Sequence, residues 1–209
     1  MPESLIPKHG GFRKLKTFHI AQLIYDLTVR FCDLYIERRS RTHDQMVQAA
    51  RSAPQNIAEG SQASGTSKKT ELKLTGVAQA TLTELRIDYQ DFLRHRDRTP
   101  WPPEHPALQR FRLWRCATLE DVQSWVTDEL PRIPRPQSQV PSGGGGLDAP
   151  RPCPPSAELA ANGILSLINL CQYLLERQLR SQATTFTDKG GFTERLYRVR
   201  RAARNNDYG

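Results

Sequence analysis

Four stretches of the chain carry apolar residues at spacings of three and four, and none alternates apolar with polar in the manner of a strand. The first runs from about Phe12 to Arg39, with Ile20, Leu23, Ile24, Leu27, Phe31, Leu34 and Tyr35 on one stripe. At 1.5 Å per residue it predicts a helix of roughly 40 Å. The second begins near Thr42 and carries Met46, Val47, Ala50, Ala53 and Ile57. The third spans about Ser67 to His95, where Ala78, Leu82, Leu85, Tyr89 and Phe92 repeat like a coiled-coil seam. In the fourth, Ser156 is expected to cap a helix from Ala157 to Thr184 with Ile164, Leu167, Ile168, Cys171, Leu174 and Leu175 on its stripe. This pattern predicts an all-α fold, an antiparallel up-down four-helix bundle. Its first three helices fall within residues 1–98 and the fourth within 156–187.

Local punctuation sets the expected joints. Arg38-Arg39-Ser40-Arg41 should close the first helix, where cations suit the negative end of the dipole. Pro54 has no N–H and should kink or restart the second. Gly60 suits a helix C-terminus, and Gly65, Thr66 and Ser67 offer a turn and an N-cap for the third.

The intervening segment, 99–155, is rich in proline and holds the flexible run Ser142-Gly143-Gly144-Gly145-Gly146. Two short helices are expected inside it, near Pro106–Cys116 and Thr118–Glu129, each with an apolar face able to dock on the main helices. Pro131 to Pro155 should stay disordered, having little apolar surface to offset its ordering entropy. A basic extension, 188–209, closes the chain.

The net charge of +8 and pI near 9.6 favour an acidic partner such as nucleic acid. The four cysteines form no C-x-x-C pair, which argues against zinc and against a disulfide framework. His19, His95 and His105 lack metal-ligand spacing, and no cofactor is implied. With no signal-like hydrophobic segment and no apolar run long enough for a bilayer, the expected location is cytoplasmic.

Several constellations bear on chemistry. Gly60 to Ser67 nearly fits a phosphate-binding loop, but Thr66 stands where lysine is needed and a helix precedes it. Lys68 and Lys69 lie in a first helical turn, which disfavours cations, so they read either as solvated side chains or as holders of a phosphate, with Lys73 beside them. In the extension, Arg195, Arg198, Arg201 and Arg204 recur every three residues, with Arg200 between them. They make a ridge suited to phosphate contacts if the segment is helical, or else a solvated basic terminus. Glu59 with Asn56 reads as a turn-fixing pair, and His43-Asp44 has no nucleophile beside it. No enzyme is expected.

The motif Ser52-x-Pro54-x-Asn56-Ile57-Ala58-Glu59-Gly60 resembles the signature of the four-helix-bundle proteins associated with intervening sequences in 23S ribosomal RNA. It is also similar to the accessory variability proteins of diversity-generating retroelements. The resemblance covers about 12–95 and 157–186, and Gly190–Arg201 looks like the C-terminal suffix of one branch. It implies a structural role for Ser52, Pro54, Asn56, Glu59 and Gly60, a ring-like homopentamer, and basic surface that meets nucleic acid and a reverse transcriptase. The chain departs from the pattern at Ala53, in lacking an arginine soon after Gly60, and in its long 99–155 insertion.

Two readings follow. One is a non-catalytic nucleic-acid-binding protein, contacting RNA or DNA through Lys68, Lys69, Lys73 and the extension's arginines. The other is an oligomeric adaptor for a protein such as a polymerase, with Trp101, Trp114 and Trp125 as exposed anchors. On the first helix, Phe18, Tyr25, Val29 and Ile36 make a second apolar set opposite the main stripe. Left exposed on a monomer, that strip would favour either a subunit contact or cover from the insertion's short helices.

Overall fold

The computed structural model describes residues 11–133 and 152–207. Among them every regular element is helical: α1 (Lys16–Tyr35), α2 (Arg41–Ala63), α3 (Lys68–Arg94), α4 (Pro106–Trp114), α5 (Leu119–Glu129), α6 (Pro155–Lys189) and α7 (Phe192–Asp207), with 3-10 turns at Phe12–Lys14 and Leu130–Arg132. Of the Pro131–Pro155 stretch expected to stay disordered, 134–151 lie outside the described residues, whereas Pro131 and Arg132 belong to a 3-10 turn and Pro154 and Pro155 begin α6.

Helices α1, α2, α3 and α6 pack in a closed order, α1 on α2, α2 on α3, α3 on α6 and α6 on α1. Their stripes meet in one core containing Ile24, Leu27, Phe31, Met46, Ile57, Leu82, Leu85, Tyr89, Ile164, Ile168 and Leu175. Phe31 lies edge-on to both Tyr89 and Phe92, at 4.9 and 4.8 Å between ring centroids. The Tyr89 hydroxyl donates to Thr28 Oγ1 at 3.1 Å, so its buried polar end has a partner. Helices α1 and α6 run antiparallel, since Thr17 bonds Gln178 (3.0 Å) near one end and Tyr35 bonds Ser156 (3.0 Å) near the other.

Several joints differ from the sequence expectation. Helix α1 stops at Tyr35, and Ser40 caps α2 by accepting from the His43 amide, so Arg38 and Arg39 lie in the loop. Pro54 does not restart α2, which runs through it with the proline buried. The carbonyl one turn before Pro54 loses an amide donor. Around it, Ser52 Oγ donates to the Gln48 carbonyl (2.9 Å) and Asn56 Nδ2 to the Ser52 carbonyl (2.8 Å). These side-chain bonds reinforce the turns on either side. Gly60 is not a terminus either, because α2 continues to Ala63. A Cβ at Gly60 would stand 3.3 Å from Leu74 Cβ and 3.4 Å from the Glu71 carbonyl, so the glycine sets how closely α2 and α3 approach. Pro154, not Ser156, is the N-cap of α6, and the Ser156 hydroxyl serves Tyr35 instead.

The α4–α5 pair docks on α6 and covers part of the core. Trp125 is fully buried, with its ring edge-on to Phe111 at 4.6 Å. Thr118 and Asp121 form a reciprocal capping box at the start of α5. Phe18, Tyr25 and Ile36 are half-buried against the core and Val29 is half-buried too, whereas Leu34 of the expected stripe is 53% exposed. The second set is therefore not an exposed strip, and it gives no argument for a subunit contact.

Candidate nucleic-acid interface

Ser67 opens α3, its Oγ accepting from the Thr70 amide at 3.2 Å. The approach to it is a compact turn whose amides are already used. Thr66 and Ser67 donate to the Ala63 carbonyl, at 3.0 and 2.8 Å, and Ser64 donates to Ser61. Those N–H groups point back into α2, so the Gly60–Ser67 turn offers no cradle to a phosphate.

Lys68 is not a spare cation. Its Nζ bonds Glu71 Oε2 at 2.8 Å, and Glu71, almost buried, also accepts from Gln182 Nε2 of α6 at 3.1 Å. The expected conflict with the helix dipole is thus answered inside the chain by an acidic side chain in the same first turn. Lys69 and Lys73 are exposed, one turn apart on α3.

The start of α1, the end of α2, the start of α3 and the end of α6 meet at one end of the molecule. The Thr17–Gln178 and Glu71–Gln182 bonds and the Gly60–Glu71 approach place them there. Helix α7 departs from that same end. Gly190 makes the turn at φ 69°, a left-handed conformation open to glycine. Glu194 accepts from the Gly191 amide at 2.8 Å, and its own amide and that of Gly191 hold its carboxyl below the usual range. The extension is therefore helical, as the ridge requires. Arg198, Arg200, Arg201 and Arg204 are exposed and Arg195 is half-buried. Among the described residues α7 makes no extended packing against the other helices.

The structure thus places Lys69 and Lys73 at the end from which α7 departs, while drawing Lys68 into an internal ion pair. Sequence reasoning missed Arg13, Lys14 and Lys16, all exposed at the start of α1 and so at that end too. The dense basic run Arg13-Lys14-Leu15-Lys16 was the available signal. Of the motif residues, Ser52, Asn56 and Gly60 act within the fold as described above, Pro54 is buried, and Glu59 is exposed.

The tryptophans divide. Trp125 is core and Trp101 is half-buried, stacked on His105 at 4.0 Å. Trp114 is 43% exposed beside Leu113, which is 81% exposed. Trp101 and His105 line a cleft of about 430 Å³ with Arg98, Arg110, Arg132, Glu129 and Glu158. There Arg110 forks onto Glu129 at 2.5 and 2.7 Å, Arg132 pairs with Asp128, and Arg98 lies 3.4 Å from Glu158. Each guanidinium is matched by a carboxylate: Arg110–Glu129 ties α4 to α5, Arg132–Asp128 is local to the end of α5, and Arg98–Glu158 reaches α6.

Among the described residues no cluster of His, Cys, Asp and Glu has metal-binding geometry, and no helix is long and apolar enough to cross a membrane. No family model matches the chain, and neither a curated protein nor a solved structure matches it.

Proposed function

We propose that the chain is a non-catalytic nucleic-acid-binding four-helix bundle in which α1, α2, α3 and α6 are the four helices and 99–155 is an insertion. It acts in the cytoplasm and contacts phosphates through Lys69, Lys73, Arg195, Arg198, Arg200, Arg201 and Arg204. Lys68 orients Glu71 rather than touching the ligand. The observation that carries the reading is the exposure of Lys69 and Lys73 at the end from which the basic helix α7 departs. Such a surface attracts a polyanion irrespective of its sequence. The ring-like homopentamer implied by the resemblance belongs to the same proposal, and light scattering on the purified chain tests it, a monomer at micromolar concentration counting against it.

The test of binding is fluorescence anisotropy with labelled RNA and DNA across a salt series. Affinity should fall linearly with log salt. Binding indifferent to salt, or none at low salt, defeats the proposal.

A second reading, a protein-binding adaptor for a polymerase such as a reverse transcriptase, is favoured by Leu113 and Trp114 standing exposed side by side on α4. Leu113→Glu with Trp114→Ala should abolish capture of a protein partner while leaving nucleic-acid binding intact. Deleting the whole 99–155 segment is a poorer test, since it removes Trp125 from the core.

A further inference from the structure

We propose a second binding site, independent of the nucleic-acid reading: the cleft between α3, α4, α6 and the 100–103 segment takes a small organic phosphate monoester. The cleft has a volume of about 250 Å³, with Arg86 and Gln90 from α3, Arg112 from α4, and Ser166 and Asn169 from α6. At ~30 Å³ per water it has room for about eight waters, so its ligand is smaller than a drug-sized molecule. No carboxylate stands among the described residues that line it. In the adjoining cleft, by contrast, Arg98, Arg110 and Arg132 are each paired with an acid.

Arg86 supplies the observation that points to an anion. It is half-buried, and its Nε is closed off from solvent with no acceptor among the described residues. A buried guanidinium N–H without an acceptor is costly, and an oxyanion is the acceptor that also answers the charge. Arg112 is exposed and likewise has no acid partner among the described residues. Two guanidiniums with no carboxylate beside them suit a phosphate monoester, whose charge at neutral pH is about −1.5 to −2, better than a singly charged carboxylate or diester. The hydroxyl of Ser166 and the amides of Gln90 and Asn169 are uncommitted among the described residues and can complete the contacts.

The opposite wall is apolar and built in advance. Asn162, 2% exposed, accepts from the Trp101 amide at 2.8 Å and donates to the Glu158 carbonyl at 2.9 Å, which holds the 100–103 segment against α6. His105, stacked on the indole at 4.0 Å, fixes the ring further. Pro100, Trp101, Pro103, Leu108 and Leu165 then offer a surface that suits an ester's organic body and has no use for a bare phosphate. The site also stands apart from the basic end. Between Lys73 and Arg86, α3 rises about 20 Å at ~1.5 Å per residue.

The experiment is titration calorimetry on the full chain at low salt with four probes: phenyl phosphate, inorganic phosphate, methyl phenyl phosphate and benzoate. Phenyl phosphate should bind saturably with a Kd below ~1 mM, and at least about tenfold more tightly than each of the others. Arg86→Gln and Arg112→Gln should each weaken it about tenfold or more, Arg86→Gln the more strongly because that guanidinium is the more buried. Arg94→Gln, at an exposed arginine outside the cleft, should leave it unchanged. Circular dichroism confirms that each variant is folded, and the exposed Arg112 can be replaced without loss of packing. No saturable binding of phenyl phosphate up to ~10 mM, or binding that survives both arginine substitutions, overturns the site. Equal affinity for benzoate or for the diester overturns the dianion, and equal affinity for inorganic phosphate overturns the organic ester.

Discussion

Gly163 of α6 lies directly beneath the indole of Trp125: a Cβ at Gly163 would come within 3.1 Å of Trp125 Cζ3 and 3.6 Å of Phe111 Cε2. The ring is fully buried and edge-on to Phe111, so it has little freedom to retreat. This contact fastens α4 and α5 to the central helices. Gly163→Val should lower stability by about 1–3 kcal/mol through overpacking, and Trp125→Ala by about 3–5 kcal/mol through the cavity it leaves. In the Trp125→Ala background the valine should cost less, because the clashing ring is gone. Chemical denaturation of the four proteins of the cycle measures the coupling, and strict additivity would contradict the contact.

Two of the helical glycines, Gly60 and Gly76, should respond in opposite ways. A side chain at Gly60 meets backbone and Cβ atoms of α3 at 3.3–3.4 Å, and neither can move without moving the helix. Gly60→Val should destabilise by about 1–3 kcal/mol. Gly76 has open space around its missing Cβ, so Gly76→Ala should stabilise by about 0.5–1 kcal/mol through reduced chain entropy. Thermal midpoints measured side by side check both signs.

Arg110 and Glu129 give a third test. Glu129 is 1% exposed, with both carboxylate oxygens taken by the Arg110 fork and Arg132 at 3.4 Å from Oε1. Arg110→Ala strands a buried charge, and Arg94→Ala strands only the more open Asp91. The first should depress the thermal midpoint clearly more than the second. Glu129→Gln, which removes the charge and keeps the shape, should be milder than Arg110→Ala.

Burial makes the thiols a source of pH dependence. It pushes Cys32 and Cys171 up to about 12 and Cys116 up to about 11, from an ordinary value of 9.0. The folded chain therefore holds protons that the unfolded chain releases above that ordinary value. The stabilisation is complete below about pH 9 and is lost as pH rises toward 12. Denaturation midpoints should fall across that window, and less steeply for Cys32→Ala with Cys171→Ala. A thiol reagent at pH 8 should label Cys116 and Cys153, both half-buried, well before Cys32 and Cys171.

Much of the architecture was legible from nearest neighbours along the chain. Apolar spacing located the core faces of α1, α2, α3 and α6, and Ser67 announced α3, because stripes and caps are set within one or two turns of helix. The short helices α4 and α5 were readable for the same reason. Local rules misjudged Gly60 as a terminus, and α2 also continues through Pro54, since breakers end helices only where packing does not hold them. Pro54 sits in the core, and Gly60 faces the start of α3. The interface shows the same division. The richness in arginine of residues 195–204 is a property of the sequence. Lys68 is claimed by Glu71 of its own helical turn, a local pair, and Gln182, 111 residues beyond Glu71, holds the other oxygen of that carboxylate. Likewise Trp125 reads as a surface anchor until α5 meets Gly163, and the Ser156 hydroxyl, read as a cap, goes to Tyr35, 121 residues away. Short-range periodicity chooses the helices, but the partner of a side chain depends on which distant turn the packed core brings beside it, and only the folded chain contains that distance.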